Sequence, residues 1–248
     1  MAILIKSNEQ INKMRLAGDI VKKTHELLEK YIKPGITTEE LDKIAEDFIL
    51  SQGATPSFKG YNGFPASICT SINEVVIHGI PSLKKLKDGD IIGIDIGAYK
   101  DGYHGDAART FAVGKIGEDA QQLIDVTKQS FFEGIKFARA GNHLFEISAA
   151  VEDYVKGFGY SVVKDFVGHG IGRDMHEDPQ IPNYRQKFRG PKLSKGMTLA
   201  IEPMINIGTG DIKVLSDGWT VITIDKKLSS HYENTVLITD GEPELLTL

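Results

Sequence analysis

The stretch LKDGDIIGIDIGAYKDGYHGDA, residues 86–107, decides how this chain folds. Within it IIGIDIG, residues 91–97, reads as a buried strand of isoleucines and glycines with one carboxylate, Asp95, set in the middle. A bare buried carboxylate is strongly unfavourable unless the charge is paired or bound to a metal. Asp106 follows 11 residues later, and Asp101-Gly102 between them is a two-residue hairpin signal. That turn sets Gly97 opposite Asp106 and Asp95 opposite Ala108. Opposed residues share a face of the sheet, as do residues two apart on one strand. Asp95 and Asp106 are therefore predicted to be diagonal neighbours on one side, where two carboxylates repel unless something positive lies between them.

The same pattern recurs downstream. LKDGDIIGID (86–95) lies over LSKGMTLAIE (193–202) at an offset of 107, with Leu86, Gly89 and Ile94 on Leu193, Gly196 and Ile201. Asp95 then falls on Glu202, in a second apolar strand read over TLAIEPMI, 198–205. Upstream, at an offset of 106, Gly35 falls on Gly141, Leu41 on Ile147, Ala45 on Val151, Phe48 on Tyr154 and Gly53 on Gly159. A nearly constant offset over two separate stretches indicates a duplicated unit. Helical spacing of apolar residues predicts helices over 7–33, from Thr37 to Gly53, over 118–140 and over 143–156. The first two open on capping boxes, Ser7 with Gln10 and Thr37 with Glu40. The fold class is α+β. It is one domain, 1–248, of two pseudo-symmetric halves, about 1–112 and 113–248, whose strands join into one curved antiparallel sheet with helices outside.

Composition is that of an ordinary globular chain: 248 residues, 41% hydrophobic and 25% charged. A net charge of −5 gives no nucleic-acid footprint, and the run Lys84, Lys85, Lys87 reads as a solvated turn. The single cysteine, Cys69, excludes an internal disulfide framework and fits a reducing compartment. The apolar run before Lys6 is too short for a signal peptide, and no run reaches a membrane span. These features predict a cytoplasmic protein without membrane or nucleic-acid partners.

By the repeat, Glu233 in SHYENTVLI is expected to match Asp106, so four acids converge at the symmetry centre. Arg109 is the nearest cation, and one guanidinium cannot balance four acids. His169 and His176 lie in FVGHGIGRDMHEDP and His78 in VVIHGIP, both read as glycine-rich loops where backbone can approach a ligand closely. Four carboxylates and one neutral imidazole carry a charge of −4, which two divalent ions neutralise. Oxygen ligands with one nitrogen suit Mn, Fe or Co better than a sulfur-rich zinc site does, and a pair of ions is the usual device for metal-assisted hydrolysis.

These residues resemble type I methionine aminopeptidases over nearly the whole chain. The matching stretches are YNGFPASICTSINEVVIHGIP (61–81), GDIIGIDIGAYKDGYHGDAARTF (89–111), GHGIGRDMHEDP (168–179), GMTLAIEPMI (196–205) and YENTV (232–236). The resemblance implies the pita-bread (creatinase/aminopeptidase) fold and metal ligands at Asp95, Asp106, His169, Glu202 and Glu233. It implies two divalent ions (Co, Mn, Fe or Zn) activating a water that bridges them. Glu202 would shuttle the proton, His176 would stabilise the oxyanion, and His78 would contact the amide after the scissile bond. The methionine pocket would use Tyr61, Phe64, Cys69 and Trp219, with Met175 at its edge. A monovalent cation (Na or K) would sit at Asn73, Val75 and Ser229. The implied reaction is removal of the initiator methionine from nascent polypeptides whose second residue is small, by a monomer in transient contact with the ribosome. Met175 stands where the family more often has phenylalanine, and Asn62 where many bacterial relatives have histidine.

Other readings are weaker. Proline-specific peptidases share the fold but carry a large N-terminal domain, and 94 residues precede Asp95 here. Type II methionine aminopeptidases have a helical insertion in the second half, and only 33 positions separate His169 from Glu202. The N-terminus is too short for the zinc-finger extension of many eukaryotic type I enzymes, so a short bacterial type is expected. A non-catalytic relative would have lost some of the five ligands.

Overall fold

The computed structural model describes residues 3–248, so the start of the apolar run ahead of Lys6 lies outside the described residues. Helix α1 (Asn8–Glu29) opens on the predicted capping box: Gln10 N–H donates to Ser7 Oγ at 3.3 Å and Ser7 N–H to Gln10 Oε1 at 2.8 Å. Helix α2 (Thr38–Ser51) opens the same way, with Glu40 N–H on Thr37 Oγ1 at 3.1 Å and Thr37 N–H on Glu40 Oε2 at 2.7 Å. Helices α3 (Glu118–Ile135) and α4 (Leu144–Lys156) repeat the arrangement. Helix α3 ends short of the predicted 140, because the chain turns so that Ala140 N–H bonds the Thr239 carbonyl at 2.9 Å.

The hairpin forms in the predicted register. Strands Ile91–Lys100 and Tyr103–Ala112 pair with Gly97 opposite Asp106 and Asp95 opposite Ala108. At the turn Asp101 has φ 50° and Gly102 φ 87°, the two left-handed residues that a tight hairpin of matching twist requires. Strands Ile68–Ile72 and Thr55–Pro56 both pair with Ile91–Lys100. Ile92, Ile94 and Ile96 point to the side of α1 and α2 and pack on Val21, Leu28, Leu41 and Ile49. Burying each such side chain stabilises the fold by about 1.5–3 kcal/mol. In the second half Leu199, Ile201 and Val236 pack likewise on Phe131, Leu144 and Ile147 of α3 and α4.

Two expectations change. The single curved sheet is divided into four hydrogen-bonded sheets among the described residues. At the centre the halves are joined by threonine hydroxyls and a backbone bond: Asp106 N–H donates to Thr235 Oγ1 at 3.0 Å, Thr235 Oγ1 donates to Asp106 O at 2.9 Å, Thr110 Oγ1 donates to His231 O at 2.9 Å, and Glu233 N–H donates to Ala108 O at 3.0 Å. The 198–205 strand is also broken. Thr198–Ile201 pairs with Asn234–Leu237 and with Gly168–Gly170, whereas Met204–Asn206 pairs with Ser229–His231 and with Ser161–Val162. The gap falls at Glu202-Pro203, because proline has no N–H to continue a ladder.

Candidate metal centre and apolar pocket

The duplicated strands bring all four acids to one place. Asp95 and Asp106 come from the hairpin and interact directly through their carboxyl groups. Glu202 comes from the strand break, and Glu233 from a second break between Ser229–His231 and Asn234–Leu237. Asp106 and Glu233 are 3% and 2% exposed, whereas Asp95 and Glu202 are half-buried and face a cavity of about 180 Å³. One oxygen each of Asp95, Asp106 and Glu233 is buried with no hydrogen-bond partner. Burial pushes the Asp95 carboxyl up to about 7 and the Glu202 carboxyl up to about 8, and raises Asp106 and Glu233 as well. The neighbouring acids push Asp106 and Glu233 further the same way.

Arg109 does not neutralise them. Its guanidinium donates to the carbonyls of Ala108 (2.8 Å), Thr247 (3.2 Å) and Glu233, and to Asn234 Oδ1 at 2.6 Å. It lies over the Tyr232 ring at 4.5 Å. It holds the second break together and leaves the carboxylates without a cationic hydrogen-bond partner among the described residues.

His169 stands within the strand Gly168–Gly170, not on a loop. Its Nδ1 pairs with the Gly170 carbonyl at 2.9 Å, which places the proton there and leaves the Nε2 lone pair free. That Nε2 lies 3.6 Å from Glu202 Oε1 and 3.9 Å from Asp106 Oδ2. Burial lowers the imidazole to about 3, so it is neutral. The flanking glycines serve chain-to-chain approach, not a ligand: a Cβ on Gly168 would meet Ala200 O at 2.4 Å, and one on Gly170 would meet Asp178 O at 2.2 Å.

His176 sits at the cavity mouth, its ring centroid 4.2 Å from that of His169. Its Nδ1 is 2.8 Å from the Tyr61 hydroxyl, and the two rings stack. His78 lies at a left-handed φ of 57°, edge-on to Trp219 and Phe166. Burial holds its imidazole down at about 4. Cys69 is directly opposite Asp95 on the adjacent strand, and burial, with Asp95 next, raises its thiol well above the usual range. It is a neutral, apolar part of the wall. Phe64 and Trp219 meet edge to face, and Tyr61, Phe64, Cys69, Met175 and Trp219 all line the same cavity as the acids, with Asn62 beside them. Asn73, Val75 and Ser229 are also neighbours. Ser229 N–H donates to the Asn73 carbonyl at 2.9 Å, and Ser229 Oγ is buried without a partner.

Three features escape sequence reasoning. Phe58 lines the cavity from a segment with no motif of its own. Lys6 forms a buried ion pair with Glu177, whose Oε1 also accepts the Arg173 N–H at 2.9 Å, so the first residues of the chain hold the loop that carries Met175 and His176. His231, 4% exposed, has its Nε2 3.6 Å from Glu202 Oε2. The only sequence signal for His231 is its place two residues before Glu233.

The donor set suits divalent cations. Ligand atoms of Asp106, His169 and Glu233 lie within 4.8 Å of one another, and orphaned carboxylate oxygens face the same space. Hard oxygens with borderline nitrogen are the ligands that Mn, Fe, Co and Zn accept.

Residues 12–240 match the Metallopeptidase family M24. A methionine aminopeptidase of Clostridium acetobutylicum is 60% identical over 247 residues, 99% of each chain. Methionine aminopeptidase 1 of Bacillus subtilis is 54% identical over 245 residues, 99% of each chain. The crystal structure of the methionine aminopeptidase from Rickettsia prowazekii superposes with a TM-score of 0.98 at 42% identity, covering all of both chains, and so shares the pita-bread architecture. The chain belongs to metallopeptidase family M24, among its methionine aminopeptidases.

Proposed function

We propose that the protein is a dinuclear-metal aminopeptidase that hydrolyses the peptide bond after the N-terminal methionine of nascent chains whose second residue is small. One observation carries this reading: four carboxylates and a neutral imidazole share a cavity with an apolar slot. Asp95, Asp106, His169, Glu202 and Glu233 are the ligands in this reading. Divalent cations, when bound, supply Lewis acidity and an activated water.

The remaining roles belong to the chain. Glu202, at the cavity face, takes a proton from the nucleophile and passes it to the leaving amine. Burial raises the Tyr61 phenol, which therefore keeps its proton. Donating to His176 Nδ1, it leaves the imidazole proton on Nε2, where it can donate to the developing oxyanion. His78 faces the amide after the scissile bond. Tyr61, Phe64, Cys69, Met175 and Trp219 enclose the methionine side chain, an unbranched thioether that bends into irregular pockets. Asn73, Val75 and Ser229 form the monovalent-cation site in this reading. A nascent-chain substrate goes with a cytoplasmic place and a transient ribosome contact.

The test is a panel of Met-X peptides in free and formylated forms. Met-Ala peptides should be cleaved and Met-Arg peptides spared, because the side chain of X meets His78 and the loop walls. Norleucine should substitute for methionine with a loss of only about 1–3 kcal/mol in transition-state binding. Formylated peptides should resist, since the free amine is needed at the metals. Equal rates for Ala and Arg at X, or rapid cleavage of the formylated peptide, would overturn this reading.

A further inference from the structure

His231 has its backbone fully engaged. Its N–H donates to Thr110 Oγ1 at 3.0 Å, its carbonyl accepts from the same hydroxyl at 2.9 Å, and its strand pairs with Met204–Asn206. The main chain is fixed by this frame, yet the ring Nε2 is buried with no hydrogen-bond partner. A buried polar atom in that state has a specific explanation or a cost.

The charged groups acting on the ring are Glu202, Asp95 and Arg109. Its Nε2 lies 3.6 Å from Glu202 Oε2, while the other oxygen of that carboxylate, Oε1, lies 3.6 Å from His169 Nε2. Glu202 therefore stands between two imidazoles. Ligand atoms of Glu202, His231 and Glu233 lie within 4.8 Å of one another, as do those of Asp106, His169 and Glu233. The two groups share Glu233, and each holds one imidazole. A separation of 3.6 Å is too long for a hydrogen bond. Two donors each about 2.1 Å from one cation stand roughly 3.0–3.4 Å apart at octahedral to tetrahedral angles. The observed gap is close to that spacing.

We propose that His231 is a second imidazole ligand of the divalent-cation site, on the side of Glu202 away from His169. This rests on the metal-site reading above and adds a nitrogen donor to it. The added nitrogen shifts the preference of the site from Mn toward the borderline cations Co, Fe and Zn.

The test counts imidazoles on the metal. Metal-free protein is loaded with Co2+, and contact-shifted imidazole ring protons are observed by NMR with histidine labelled, one set for each coordinated ring. Two sets are expected in the unaltered protein and one in His231→Gln. The ratio of Co2+ to Mn2+ affinity, measured by calorimetry, should fall by about 10-fold or more in His231→Gln. One set in the unaltered protein, or two sets that both survive His231→Gln, overturns the proposal and leaves the metal site standing. The unaltered protein decides the count even if the variant folds poorly. Failure to bind Co2+ at all would overturn the metal-site reading together with the proposal.

Discussion

Asp95 and Asp106 stand on ten-residue strands that run unbroken through them, whereas Glu202 and Glu233 stand in gaps between short strands. The difference shows two ways of aiming an acid into a shared space. In the hairpin the ladder itself fixes both aspartates, and backbone groups stay paired. At the two gaps the chain leaves the ladder, and its freed carbonyls need side-chain donors. Asn183 Nδ2 donates to the Glu202 carbonyl at 3.0 Å, and Arg109 donates to the Glu233 carbonyl. Arg109 belongs to the first half, so the regular half supplies the group that secures the irregular one.

Removing an acid from the regular half should have the largest effect. Asp95→Asn keeps the hairpin, whose register is set by backbone bonds and the Asp101-Gly102 turn. Cleavage of a Met-Ala peptide should fall by about 10³-fold or more, since metal stabilisation of charge is worth several kcal/mol. Metal affinity should fall as well, with little change in the circular dichroism spectrum. Full activity at saturating metal would contradict the assignment.

The loop of the second half gives the next contrast. If His176 is the oxyanion donor proposed above, His176→Ala should lower kcat by about 10²–10³-fold. Calorimetry should find metal affinity nearly unchanged. Loss of a bound metal in this variant would make His176 a ligand.

A smaller, graded effect reports on both halves together. In metal-free protein the folded carboxyls titrate higher than in the unfolded chain: Asp95 at about 7 and Glu202 at about 8, with burial the main cause. Above the unfolded pKa of about 4 the folded state holds more protons, so stability falls as pH rises toward 8, by about 1.4 kcal/mol per unit for each proton involved. Urea melts from pH 5 to 8 should show that decline without metal, and much less of it with saturating Mn2+. A metal-free chain that gains stability over this range would show that the acids are not buried together.

Local signals made much of this legible in advance. The Asp101-Gly102 turn fixed the register that makes Asp95 and Asp106 neighbours, and Ser7 with Gln10 and Thr37 with Glu40 marked two helix starts. The two constant offsets showed the duplication and paired Asp95 with Glu202. What escaped depends on contacts remote in the chain. The Lys6–Glu177 pair joins residues 171 positions apart, and no periodicity encodes it. The threonine stitches between the halves replace ladder bonds that an idealised sheet would have. Pro203 did announce the break at Glu202, since proline cannot continue a ladder, but the apolar run TLAIEPMI outweighed it. At Glu233 no such marker exists, and the gap falls where its N–H bonds the Ala108 carbonyl and its own carbonyl accepts from Arg109.

In the proposed site, acids from the two unlike halves hold a pair of cations between them. The most direct measurement is calorimetric titration of metal-stripped protein with Co2+ or Mn2+, followed on the same samples by Met-Ala peptide hydrolysis. Two divalent ions per chain are expected, with hydrolysis absent before titration and restored as the ions bind. Stripped protein that binds no divalent ion, or that hydrolyses the peptide at full rate without one, would contradict the proposed site.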